Sequence, residues 1–227
     1  MTAVEAVTLD IDRTLCEYRR STEDLLAAAF DEVGVEPFFS AREYRDRMSR
    51  YVPRTDTKAE LREACFADLA EERGHDRAVG RRVAAMHTGL RDHREVDPVP
   101  GAREAVAALA ERYPLAVVTN GAPEMQTPKL DELGLADAFE TVVHAGYDTL
   151  AKPDPAPFLD APDALGTSAP ATVHVGDGRD DVLGADAAGM RTAWLRRGDE
   201  ADATGRPGAR PHFELGSMHD LVEPPWE

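Results

Sequence analysis

The chain has 227 residues, of which 42% are hydrophobic, and its formal net charge is −17. This length fits one large α/β domain with a smaller accessory domain. No apolar run approaches the roughly 20 residues of a membrane span, and the negative charge disfavours nucleic acid and anionic membranes as partners. Because the N-terminus lacks the basic and apolar segments of a signal peptide, we expect a cytoplasmic protein.

Lysine and cysteine are both used sparingly. Lysine occurs only at Lys58, Lys129 and Lys152, against 43 acidic residues. Such an acidic surface suits concentrated salt, where repulsion is screened within about 3 Å. We therefore hypothesise a halophilic source, with an ordinary acidic protein of a GC-rich genome as the alternative. Cys16 and Cys65 lack metal-ligand spacing and are expected to be structural thiols.

The first predicted element is a strand from Val4 to Leu9, which stops at Asp10. Apolar residues at helical spacing then run from about Thr22 to Leu90. Glycine and proline breaks divide this stretch into about four helices, enough for a small bundle with its own core. We therefore predict an inserted all-α domain over residues 17–96.

From residue 97 onward, predicted strands and helices alternate, beginning with a helix from Gly101 to Tyr113. The predicted strands are Leu115 to Val118, Thr141 to Val143, Thr172 to Val175 and Thr192 to Leu195, and the helices between them are Glu124 to Leu133, Ala156 to Leu165 and Asp181 to Ala188. A loop over Arg197 to Pro211 leads to a short strand near Phe213 and a terminal helix near Met218 to Val222. This alternation predicts an α/β, Rossmann-like parallel sheet with helices on both faces, formed by residues 1–16 and 97–227.

Acidic residues follow two of the predicted strands, at the sheet edge where open parallel sheets bind ligands. Asp10 and Asp12 follow the first strand and project to the same side if the chain stays extended. Their repulsion would be relieved by a divalent cation. Asp177 and Asp181, after a later strand, add oxygen ligands, which suit Mg²⁺ better than zinc. The sequence therefore predicts Mg²⁺ as a cofactor.

Groups suited to phosphate binding follow two further strands. Thr119, Asn120 and the neighbouring backbone amides, including that of Gly121, are predicted to donate hydrogen bonds to phosphoryl oxygens. Lys152 is predicted to supply a mobile positive charge beside them. A small-molecule phosphate ester is therefore the expected partner.

Four short motifs occur in order along the chain, each after a predicted strand. Together they resemble the motifs of the haloacid dehalogenase superfamily, and the insertion after the first strand resembles its helical cap. The motifs are Asp10-x-Asp12-x-Thr14, Thr119, Lys152-Pro153 and Gly176-Asp177 with Asp181.

The resemblance implies a phosphatase that forms an aspartyl-phosphate. Asp10 would be the nucleophile, and Asp12 would protonate the leaving alcohol and then deprotonate the attacking water. Asp10, the main-chain carbonyl of Asp12 and Asp177 would hold Mg²⁺, with Asp181 in a supporting or water-linked role. A closing cap implies a small substrate, such as phosphoglycolate, a sugar phosphate or a nucleotide.

Three positions leave alternatives open. Arg13 stands where the family often has a small residue, and we interpret it as a surface charge in preference to a phosphate contact. Asp180 and Asp181 compete for the second acidic role of the last motif, and we favour Asp181. His174, inside an apolar strand, is interpreted as a hydrogen-bonded core histidine and not as a ligand.

Three rival functions fit parts of the pattern. A 2-haloacid dehalogenase uses a comparable aspartate without a metal, but Asp12 and Asp177 would then lack a role. A phosphomutase differs mainly in excluding water from the aspartyl-phosphate. A catalytically silent binding module would keep the fold without the chemistry, which intact Asp10 and Lys152 disfavour. The sequence does not indicate an oligomeric state.

Overall fold

The computed structural model describes residues 2–51, 57–197 and 209–227. Two compact units are present, one formed by Met1–Tyr18 with Val96–Glu227 and the other by Arg19–Glu95. We call them the α/β unit and the helical unit. Most of the predicted loop after Arg197 falls at 198–208, outside the described residues. Within the described ranges, no helix combines the length and the apolar character needed to span a bilayer.

The strands of the described residues all lie in the α/β unit. They are β1 (Ala6–Leu9), β2 (Cys16–Tyr18), β3 (Val96–Pro98), β4 (Leu115–Thr119), β5 (Thr141–His144), β6 (Thr172–Gly176), β7 (Arg191–Leu195) and β8 (Phe213–Leu215). Six of them form one sheet in the order β5-β4-β1-β6-β7-β8, and every pair in it is parallel. The antiparallel pair of β2 and β3 stands apart. The predicted α/β, Rossmann-like class is therefore confirmed.

Helices fill the connections between strands. They are α1 (Thr22–Val33), α2 (Ala41–Tyr51), α3 (Lys58–Glu72), α4 (Arg77–Gly89), α5 (Ala102–Ala110), α6 (Pro123–Leu133), α7 (Ala156–Ala164) and α8 (Arg179–Ala187). Three elements differ in kind from the prediction. The antiparallel pair of β2 and β3 was not predicted, and the predicted terminal helix is a short 3₁₀ helix, Met218–Leu221.

The large sheet is buried on both faces. Leu9 and Val117 pack into one core cluster with residues of α5, whereas Val118 packs on the opposite face against Phe158 of α7. Strands that are covered on both faces consist of continuous runs of apolar residues. These runs made the strands predictable from the sequence. Leu9 is paired with both Val117 and Val175. The polar residues that follow β1, β4 and β6 therefore meet at one edge of the sheet.

The helical unit has its own core, in which aromatic rings dominate. Phe66 makes edge contacts with Phe39 and Tyr44, with ring centroids 4.7 and 4.9 Å apart. Local signals fix the ends of its first helix. Ser21 caps the start of α1 by accepting a hydrogen bond from the backbone of Asp24, and Gly34 ends the helix at φ 72°, where a residue without a Cβ is favoured.

Candidate active site

Lys152 joins two carboxylates at the carboxyl edge of the sheet. Its buried Nζ donates to Asp10 Oδ1 at 2.7 Å, to Asp181 Oδ1 at 2.6 Å and to the carbonyl of Val118 at 2.8 Å. Asp10 follows β1 directly, and Asp181 lies in the first turn of α8, after β6. All three ammonium protons have acceptors, so the side chain is fixed between carboxylates that are far apart in sequence.

Asp181 is held on both of its oxygens. His174 Nε2 lies 3.2 Å from Oδ1, and the other ring nitrogen lies 2.9 Å from Thr8 Oγ1. The backbone N–H of Gly178 donates to Oδ2 at 3.0 Å. His174 is 1% exposed, so its interpretation as a hydrogen-bonded core histidine is confirmed. Asp180 is exposed, and the structure places Asp181 in this cluster instead.

Three carboxylates lie close together. Oxygens of Asp10, Asp177 and Asp181 are all within 4.8 Å of one another. Two cations face them, Lys152 and Arg13, which leaves an excess of carboxylate charge. A set of oxygen donors with excess negative charge is what Mg²⁺ requires of a protein, so the residues present fit the predicted ion.

The pKa values of the cluster reflect the same imbalance. Burial raises the pKa of Asp10 to about 8, because desolvation and the nearby Asp181 carboxylate outweigh the attraction of Lys152. Burial also raises the pKa of Asp177 to about 6, against the opposing charge of Arg13. For Asp181, burial is outweighed by Lys152, and its pKa lies below the ordinary value. A bound divalent cation would favour the charged form of all three carboxylates.

Arg13 is exposed, as expected of a surface charge, and is also ion-paired. Its Nε donates to Asp177 Oδ2 at 2.8 Å, and its backbone adopts φ 67°. The side chain is 44% exposed, against 11% for that of Asp177. Thr14 and Trp194 hold the backbone of Asp177, since its N–H donates to Thr14 Oγ1 and its carbonyl accepts from Trp194 Nε1. Arg13 is therefore a partly exposed partner of a predicted metal ligand.

The Asp12 carboxylate lies apart from this cluster and has its own cation. Lys129 Nζ is 2.5 Å from Oδ1, and Gln126 Nε2 donates to Oδ2 at 2.8 Å. Asp10 and Asp12 thus contact different lysines, although both follow β1 closely in the sequence. Burial opposes ionisation of Asp12, but Lys129 and Gln126 hold its pKa below the ordinary value. The contact of its main-chain carbonyl with the metal stays a prediction.

Thr119, which ends β4, and the two residues that follow it have structural partners. Thr119 Oγ1 accepts from Gln126 Nε2 at 2.8 Å and from the N–H of Gly121 at 3.2 Å. Asn120 binds the backbone of Lys152 twice, at 2.8 Å through Oδ1 and at 3.2 Å through Nδ2. A Cβ at Gly121 would lie 1.9 Å from Gln126 Nε2. Asn120 therefore positions Lys152, and Gly121 leaves space for Gln126.

Sequence reasoning missed Gln126 and Lys129. Both lie on α6, three residues apart and hence on the same helix face, shortly after Thr119. One signal was available, because Lys129 is one of only three lysines in the chain. Two of those three, Lys129 and Lys152, are buried against the predicted catalytic carboxylates.

Similarity to known proteins agrees with this geometry. Residues 4–189 match the family of haloacid dehalogenase-like hydrolases. The chain is 32% identical to the phosphoglycolate phosphatase of Neisseria meningitidis serogroup A over 233 residues, which cover 97% of this chain and 93% of that protein. The aligned region therefore spans both the α/β unit and the helical unit.

Two solved structures resemble the whole chain. The 2-haloacid dehalogenase from Pseudomonas syringae has a TM-score of 0.68 and 28% identity, with 97% of each chain covered. The HAD-hydrolase YfnB from Bacillus subtilis, in a magnesium-bound form, has a TM-score of 0.76 and 20% identity, with 98% of each chain covered. At 20% identity the second likeness shows the fold alone.

Proposed function

Because the chain belongs to the haloacid dehalogenase-like hydrolase family, we propose that it is a Mg²⁺-dependent phosphatase. Its substrate is a small phosphate ester, and the reaction passes through an aspartyl-phosphate on Asp10. One observation carries the proposal, the buried cluster in which Asp10 lies against Lys152 amid an excess of carboxylates. Similarity to a phosphoglycolate phosphatase makes phosphoglycolate the first substrate to test.

In the first step an oxygen of Asp10 attacks the phosphorus, and the bond from phosphorus to the ester oxygen breaks. Lys152, fixed beside Asp10, offsets the negative charge of the phosphoryl oxygens and of the nucleophile. The departing alkoxide takes a proton from Asp12, which enters this step protonated and leaves it as the carboxylate that Lys129 and Gln126 contact. The alcohol leaves, and the phosphoryl group stays on Asp10.

In the second step water attacks the phosphorus of the aspartyl-phosphate. Asp12, now a carboxylate, takes a proton from that water. The bond between the Asp10 oxygen and phosphorus breaks, inorganic phosphate leaves and the Asp10 carboxylate is restored. Lys129 and Gln126 contact the two oxygens of Asp12.

Asp10 and Asp177 would hold Mg²⁺ through their side chains, and Asp181 lies beside them. When bound, the ion supplies positive charge for the phosphoryl oxygens and for the three carboxylates. Asp181 already accepts hydrogen bonds on both oxygens, which favours a supporting role over direct ligation. Asp10 and Asp177 are then the principal side-chain ligands.

A dehalogenase is the second candidate, because the chain is 28% identical to a 2-haloacid dehalogenase over 97% of its length. Displacement of halide from carbon leaves no alkoxide to protonate. The Asp12 carboxylate, with its lysine and glutamine partners, and the Asp177 carboxylate would have no function in that reaction. These two features favour the phosphatase.

The test is an assay of phosphate release from phosphoglycolate, sugar phosphates, nucleotides and p-nitrophenyl phosphate, with Mg²⁺ or EDTA. Turnover that requires Mg²⁺ and is absent in Asp10→Asn supports the proposal. Chloride release from 2-chloropropionate without metal would establish the dehalogenase instead. A folded wild-type chain that acts on none of these compounds would contradict both enzymatic functions and favour a mutase or a binding module.

A further inference from the structure

Two side chains on one face of α6 bind the Asp12 carboxylate. Lys129 Nζ contacts one carboxylate oxygen at 2.5 Å, and Gln126 Nε2 donates to the other at 2.8 Å. We propose that Gln126 and Lys129 are positioning residues that orient the Asp12 carboxylate for proton transfer to the leaving group and from water. The inference rests on the phosphatase function proposed above and adds to it a pair of side chains that do not touch the reacting atoms.

Both side chains are themselves rigidly held. Gln126 and Lys129 are 0% exposed. The Lys129 ammonium lies 4.5 Å from the centre of the Tyr18 ring, a distance at which a cation is attracted to the ring face. Gln126 Nε2 also donates to Thr119 Oγ1 at 2.8 Å. The pair therefore forms a fixed frame, whereas the Asp12 side chain is 45% exposed and would rotate freely without it.

Stability alone gives a poor account of this arrangement. A lysine loses its hydration on burial, a cost that its ion pair with the half-exposed Asp12 carboxylate offsets. Gln126 Oε1 is buried and has no hydrogen-bond partner among residues 2–51, 57–197 and 209–227, which costs stability. Apolar side chains at both positions would pack in the same space without these costs. What the polar pair adds is the orientation of one carboxylate.

Orientation matters because proton transfer requires a short, aligned path. Two contacts, one to each oxygen, fix the rotation of the carboxylate plane, and a misplacement of about 1 Å can cost about 100-fold in rate. The effect depends on the leaving group. An alkoxide leaves only with a proton, so its ester depends on a well-placed acid, whereas p-nitrophenolate is stable enough to leave without one.

The experiment compares kcat/KM for phosphoglycolate and for p-nitrophenyl phosphate, with Mg²⁺, in Gln126→Met and Lys129→Met. Because kcat/KM reports the steps up to departure of the leaving group, we expect a loss of about 10- to 100-fold for phosphoglycolate. For p-nitrophenyl phosphate we expect less than about threefold. If phosphoglycolate is not a substrate, the best alkyl phosphate of the wild-type panel takes its place. Thr127→Ala, at an exposed position of the same helix, is the matched control and should change neither value.

A second readout follows the base role of Asp12. In both variants p-nitrophenolate should be released in a burst followed by slow turnover, because hydrolysis of the aspartyl-phosphate still needs the oriented base. Equal losses on both esters, without a burst, would identify the pair as merely structural and overturn the inference. Unchanged kinetics on both esters would overturn it as well.

Folding and function are kept separate by the choice of variants. Gln126→Met leaves the ion pair of Lys129 and Asp12 intact, so it decides the question alone if Lys129→Met does not fold. Wild-type turnover that is lost in Asp10→Asn but unchanged in Gln126→Met rejects only the positioning role. A folded wild-type chain without Mg²⁺-dependent turnover on either ester rejects the phosphatase proposal itself.

Discussion

The two units treat buried polar side chains in opposite ways. In the α/β unit, Lys129, Lys152 and His174 are almost fully buried, and each contacts a specific carboxylate. In the helical unit, His87 is 2% exposed, and neither ring nitrogen has a hydrogen-bond partner in the described part of the chain. The Phe66 ring packs against it edge-on, with the ring centroids 5.8 Å apart. Polar burial in the first unit serves a site, whereas the second unit depends on packing.

Removal of Lys152 is the largest disruption of the α/β unit. Lys152→Met leaves Asp10 and Asp181 buried without their shared cation, and breaking such a group costs about 3–5 kcal/mol. We also expect kcat to fall at least about 100-fold, because the charge beside the nucleophile is lost. Urea unfolding and phosphate-release assays measure the two effects. Lys58→Met, which removes a lysine from the helical unit, is the matched control, with a change of about 0.5 kcal/mol or less.

The corresponding disruption of the helical unit is Phe66→Ala. Phe66 is fully buried and contacts the rings of Phe39 and Tyr44, so its truncation should cost about 3–5 kcal/mol. Both tryptophans, Trp194 and Trp226, lie in the α/β unit. The urea midpoint of unfolding measured by helical circular dichroism should therefore fall. The midpoint measured by tryptophan fluorescence should fall by less.

The matched control for Phe66→Ala is Phe66→Leu. Phe66→Leu keeps most of the apolar volume and should cost less than the alanine variant. If circular dichroism and fluorescence shift equally, the units unfold in one cooperative transition. The contrast between packing and polar burial would then not extend to stability.

A substitution with a smaller expected effect tests whether the three clustered carboxylates bind a metal ion. Asp177→Asn removes one of the three clustered carboxylates, and we expect the Mg²⁺ concentration for half-maximal activity to rise about 10- to 100-fold. Asp180→Asn is the matched control, because this neighbouring carboxylate is exposed. A metal titration of phosphate release distinguishes them. Equal effects of the two substitutions would argue against a specific ion site at Asp177.

Much of the α/β unit was predictable because its sheet is covered on both faces. Continuous apolar runs such as β4 and β6 indicate buried parallel strands when helices lie between them. The antiparallel strands β2 and β3 were not predictable in this way. Each has three residues, and Pro98 in β3 is unfavourable to strand prediction. Cys16 pairs with Pro98, which is far away in the sequence, so no local pattern of residues indicates this pair of strands.

The candidate site was predictable where its residues end a strand or follow one directly. Asp10, Thr119 and Asp177 could be located from strand ends alone, but the partners of Asp12 could not. Gln126 and Asp12 are separated by 114 positions, and a glutamine and a lysine on a helix normally indicate a solvated face. Their burial depends on how α6 packs, which no local pattern encodes. The halophilic source inferred from the charge stays a prediction.

The smallest expected effect concerns His87 and depends on pH. Burial, together with the charges of Arg62 and Arg91, lowers the pKa of His87 to about 3. Between pH 6.5 and 3 the unfolded chain binds a proton that the folded chain does not, so this histidine lowers stability as the pH falls. Relative to His87→Leu, the wild type should lose about 1–2 kcal/mol of unfolding free energy between pH 7 and pH 5. Urea unfolding of both proteins at the two pH values measures this difference. Parallel pH profiles would mean that the protonated His87 ring has a hydrogen-bond acceptor in solution. The helical unit would then resemble the α/β unit, in which buried polar side chains have partners.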